Sequence, residues 1–87
     1  MYENVKKILD KSKVTGEDVL VSADMVIAEE GRTDALADAK EVVSKYYDTI
    51  TKLRREKDED TLKDFCEALE NSDMAEVARI KEEVKVR

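Results

Sequence analysis

Histidine, tryptophan and proline are absent from this 87-residue chain, which has one cysteine, two glycines and one phenylalanine. Each absence excludes something. Without histidine there is no ready general base at neutral pH and no Glu-x-x-His pair for a carboxylate-bridged metal. A single Cys66 allows neither a disulfide framework nor a zinc cluster. Gly16 and Gly31 stand alone, with no preceding strand and no phosphate-loop spacing. Asp58, Glu59 and Asp60 look like the start of a calcium loop, but Lys63 occupies the position that requires glycine, so the run reads as helix-capping residues. No catalytic, cofactor-binding or metal-ligating residue is assigned, and the chain is expected not to be an enzyme. Cys66, beside Phe65 and Leu69, is expected to be a buried structural thiol.

Long apolar runs are also missing. The richest segment, Val19 to Ala28, is interrupted by Ser22 and Asp24 and is too short to cross a bilayer. With no secretory signal pattern either, a cytoplasmic protein without a membrane role is the expectation.

What the chain does have is charge and helical periodicity. Charged residues make up 44% of it and apolar residues 41%, and because the latter are patterned they favour folding over disorder. Leu36, Ala39, Val43, Tyr46, Ile50 and Leu53 recur at alternating steps of three and four. This stripe predicts one long helix over about residues 34–57. Shorter stripes follow from Tyr2, Val5, Ile8 and Leu9, from Leu62, Phe65, Cys66 and Leu69, and from Met74, Val77, Ile80 and Val84. The segment from about residue 15 to Gly31 carries Val19, Leu20, Ala23, Val26 and Ile27 on one side and Val21 and Met25 on the other. Its start is expected at Thr15 with Asp18, its end at Gly31, and further caps at Thr33 or Asp34, at 58–60 and at 71–73. The expected fold is all-α: a single domain over 1–87, a small bundle of four to five helices around one long central helix.

Net charge is −6, and it is unevenly spread. Residues 32–57 carry seven basic and five acidic side chains, whereas residues 58–87 carry five and ten. A helix–turn–helix built around Gly31 would open its second helix with Asp34, Asp38 and Glu41, which is the wrong sign for phosphates, so direct nucleic-acid binding is not expected. The composition points to a noncatalytic protein–protein interaction module of regulatory or inhibitory kind. Its partner surface is expected at Tyr47, Arg54 and Arg55, where an aromatic and two arginines could anchor another protein. A second possibility is an acidic inhibitor of the phage or plasmid type, filling a target's nucleic-acid groove with Asp60, Asp64, Glu67 and Glu70. A third is a homodimeric assembly protein joined through Tyr47, Ile50 and Leu53.

Overall fold

A computed structural model describes residues 1–87 as six α-helices without strands: α1 (Tyr2–Thr15), α2 (Val19–Glu30), α3 (Asp34–Lys45), α4 (Tyr47–Arg55), α5 (Glu59–Glu70) and α6 (Met74–Lys85). The all-α class and the bundle-like packing agree with the periodicity. The single long helix does not. It is two helices, α3 and α4, interrupted at Tyr46, whose φ of −114° and ψ of 35° leave the helical region. No proline or glycine marks this break. The local causes are weaker: Tyr46, Tyr47, Thr49, Ile50 and Thr51 are poor helix formers, Lys45 suits a helix end, and Asp48 suits a new first turn. The Thr51 hydroxyl also donates to the Tyr47 carbonyl at 2.7 Å. All six stripe residues are nevertheless buried, so the pattern located the core correctly while missing the joint.

Two compact units divide the chain at this joint, residues 1–46 and 47–87. In the first, α1, α2 and α3 each pack on the other two; in the second, α4, α5 and α6 do so. Val5, Ile8 and Leu9 of α1, Val19, Ala23 and Val26 of α2, and Leu36, Ala39 and Val43 of α3 are buried in the first unit. In the second, Ile50 and Leu53 of α4, Leu62, Phe65 and Cys66 of α5, and Val77, Ile80 and Val84 of α6 are buried. Met74, expected in that stripe, is exposed.

Three-residue turns join the helices within each unit, and each turn ends in a residue whose side-chain oxygen caps the next helix. Asp18 accepts from the Leu20 N–H, Thr33 from Leu36, Asp58 from Thr61 and Asp73 from Glu76. Thr15 is not the cap of α2: it is the last residue of α1, where its hydroxyl donates to the Lys11 carbonyl and accepts from the Glu17 N–H. Gly31, with φ 85° and ψ 151°, occupies a region open essentially to glycine alone, which explains why α2 stops there.

The two units repeat each other's plan. Glu59–Glu70 and Met74–Lys85 lie 40 residues after Val19–Glu30 and Asp34–Lys45. Core spacing repeats as well: Ile8, Leu9 and Ser12 match Thr49, Ile50 and Leu53, and Leu36, Ala39 and Val43 match Val77, Ile80 and Val84.

Candidate functional site

The second unit contains a groove of about 460 Å³ between α4 and α6. Successive turns of α4 supply Asp48, Thr51 or Lys52, and Arg55 along one edge; α6 supplies Lys81 and Lys85 along the other, one turn apart. Thr49 and Val84, both buried, form its floor. The local sequence explains the arrangement. Val84 must face the core, and its neighbours at 81 and 85 then flank it at the groove edge, as Lys52 and Arg55 flank buried Leu53. Four cations thus surround one carboxylate in a chain whose net charge is −6.

The cations differ in what already holds them. Lys52 Nζ donates to the Arg87 main-chain oxygen at 2.8 Å. Arg55 and Lys85 make neither an ion pair nor a side-chain hydrogen bond. Nearby, Arg87 is held by carboxylates, donating to Asp58 at 2.8 Å, Glu56 at 3.0 Å and Glu83 at 3.3 Å. The Thr61 hydroxyl and backbone N–H, then Arg87, hold the Asp58 carboxyl below its usual range.

Of the expected partner residues, Arg55 lines this groove, while Tyr47 and Arg54 are half-buried on the same helix and do not line it. Sequence reading missed Lys52, Lys81 and Lys85 as members of one site. Their signal was the pair Lys81 and Lys85 straddling the Val84 core position, but only the packing of α6 on α4 brings them beside Arg55. The alternative acidic set, Asp60, Asp64, Glu67 and Glu70, is exposed along α5. The homodimer seam needs correction: Ile50 is 0% and Leu53 1% exposed, because both belong to the chain's own core, and of the three residues only Tyr47 reaches the surface.

Cys66 is buried on α5, and burial pushes its thiol up to about 11, so it is a core side chain rather than a thiolate nucleophile at neutral pH. A second groove, between α2 and α3, is crossed by the Lys40–Asp24 ion pair and lined by Arg32, Glu41 and Lys45, so its charges are mixed. No helix is long and apolar enough to cross a membrane. Comparison with protein-family models, curated proteins and solved structures gives no match, so this geometry and its chemistry carry the functional reading.

Proposed function

We propose that this chain is a noncatalytic protein-binding module, regulatory in role, whose partner contacts the cationic side of α4 at Tyr47, Arg54 and Arg55. The observation that carries this reading is the concentration of cations on and beside α4 in an otherwise acidic molecule: a patch of minority sign steers and orients a partner of opposite charge. Half-buried Tyr47 and Arg54 add partly preformed contact area, which lowers the ordering cost of binding. The test is affinity capture with wild type and with an Arg54→Glu, Arg55→Glu variant whose helicity is checked by circular dichroism. A specific partner held by wild type and lost by the folded variant is expected; a partner held equally by both overturns the reading.

One observation favours a second reading. Asp60, Asp64 and Glu67 are exposed at steps of four and three along α5 and enter no ion pair, giving a negative ridge suited to a basic groove on a target. Asp64→Lys with Glu67→Lys would abolish capture under this reading and leave it intact under the first.

A further inference from the structure

The outward side of α2 is unlike that of a solvated helix. On α5 the exposed positions include Asp60, Lys63, Asp64 and Glu67. On α2, which buries Val19, Ser22, Ala23 and Val26, the opposite side carries Val21, Met25 and Ala28 at steps of four and three. Val21 is 44% exposed, Ala28 is exposed and Met25 is half-buried, so the chain leaves this stripe largely open to solvent. The charges on its two flanks are already matched. Asp24 pairs with Lys40 of α3, while Glu29 and Glu30 pair with Lys11 and Lys7 of α1. The charges left uncompensated stand at the two ends. Glu17, just before the capping Asp18, and Arg32, just after Gly31, have side chains in neither an ion pair nor a hydrogen bond.

We propose that this face of α2 pairs with the same face of a second copy of the chain, the two helices running antiparallel about a two-fold axis. The charge pattern selects this occupant. Glu17 and Arg32 are equidistant in sequence from a midpoint between Asp24 and Met25, and so are Val21 and Ala28. An antiparallel copy therefore sets Glu17 against Arg32 at both ends and the larger Val21 against the smaller Ala28 between them, with Met25 beside the axis. A parallel copy would oppose Glu17 to Glu17 and Arg32 to Arg32. Two-fold pairing uses one patch twice, and it brings the opposite ends of the two helix dipoles together. Apolar burial supplies the attraction, and the flanking charges, satisfied within each chain, stay at the rim. The contact is one helix wide, smaller than the roughly 1,600 Å² of a standard interface, so the dimer is weak and concentration-dependent. It lies wholly on the first unit and goes beyond the protein-binding reading of α4, on which it does not depend.

The experiment is sedimentation velocity of the full chain over a hundredfold range of concentration, with helicity followed by circular dichroism. Expected for wild type is a monomer–dimer equilibrium that persists at high salt. Val21→Glu with Met25→Glu leaves a folded monomer, whereas Lys63→Glu with Asp64→Lys on α5 self-associates like wild type. Charge reversal gives the sharper readout. At low salt Glu17→Arg alone and Arg32→Glu alone each place like charges at both ends and weaken self-association about tenfold. An equimolar mixture of these two variants matches opposite charges again and regains the wild-type dimer, as does the double variant in one chain. Both substitutions fall outside the helix on exposed residues, so this arm holds even where the Val21 and Met25 variant fails to fold. Wild type that is monomeric at every concentration overturns the proposal. A dimer indifferent to Val21 and Met25 does so too, as does one that reversal weakens and mixing does not restore. A monomer that captures another protein through Val21 and Met25 assigns the face to a foreign helix and overturns the second copy as its occupant.

Discussion

Two buried serines show how one residue type takes opposite roles according to its partner. The Ser12 hydroxyl, buried at the end of α1, donates to the Glu17 carbonyl and holds the turn that leads into α2. Ser22, 0% exposed on α2, has no hydrogen-bond partner for its oxygen. A buried unmet hydroxyl costs about 1–3 kcal/mol, whereas a satisfied one contributes about 1 kcal/mol net. Ser22→Ala is therefore expected to stabilise the protein by about 1 kcal/mol and Ser12→Ala to destabilise it by a similar amount. Urea unfolding monitored by circular dichroism checks both signs, the midpoints moving in opposite directions at unchanged slope. Loss of stability in Ser22→Ala would show that the hydroxyl is satisfied in solution. Sequence alone concealed this contrast, because Ser22 looks like an interruption of an apolar run, whereas the repeat Val19, Ser22, Ala23, Val26 places it on the buried side.

At the scale of elements, caps were legible and backbone geometry was not. Thr33, and acidic residues within 58–60 and 71–73, were readable as helix starts because capping needs only one oxygen at the right position. The turns before α5 and α6 also use a device that carried no signal. Lys57 and Ser72 adopt left-handed φ values of 57° and 55°, where glycine is usual. Each turn closes in the same way: Asp58 N–H donates to the Leu53 carbonyl and Lys57 N–H to Arg54, while Asp73 N–H donates to Ala68 and Ser72 N–H to Leu69. The side chain is strained there, and glycine removes that strain at some entropic cost in the unfolded chain, for a net gain of about 0.5 kcal/mol per site. Lys57→Gly and Ser72→Gly are each expected to raise the urea midpoint, and the double variant to show the sum, since the turns are separate. The break at Tyr46 escaped the sequence for a related reason: the buried stripe runs through it at unchanged spacing, and neither glycine nor proline stands there. The groove was half legible. Arg55 was foreseeable as an exposed cation at a helix end, but its association with Lys81 and Lys85 exists only because α6 packs on α4.

For the whole molecule, composition sets the response to pH. No histidine is present and Cys66 is raised to about 11, so neither residue type brings a titration into the range from about pH 5 to 8. Stability is expected to be flat across that plateau. Acid is different. Asp58 is held below its ordinary 3.8 by the Thr61 hydroxyl, the Thr61 N–H and Arg87, and Glu76 below its ordinary 4.5 by Arg79. A carboxyl whose folded pKa lies below its unfolded one binds fewer protons in the folded state, so its contribution is present above the unfolded value and is lost as pH falls through the folded one. Both groups sit at turns or first turns of the second unit, where Asp58 also anchors Arg87. Thermal melting is therefore expected to hold steady near neutrality and to fall below about pH 4. Asp58→Asn separates cap from charge, because the amide oxygen still accepts from Thr61 but no longer titrates or pairs with Arg87. Its melting temperature should lie slightly below wild type at neutral pH and converge with it at low pH. Parallel curves displaced by a constant amount would instead mean that Asp58 acts through its hydrogen bonds alone, and that the acid sensitivity belongs to Glu76 and the other carboxylates of the chain.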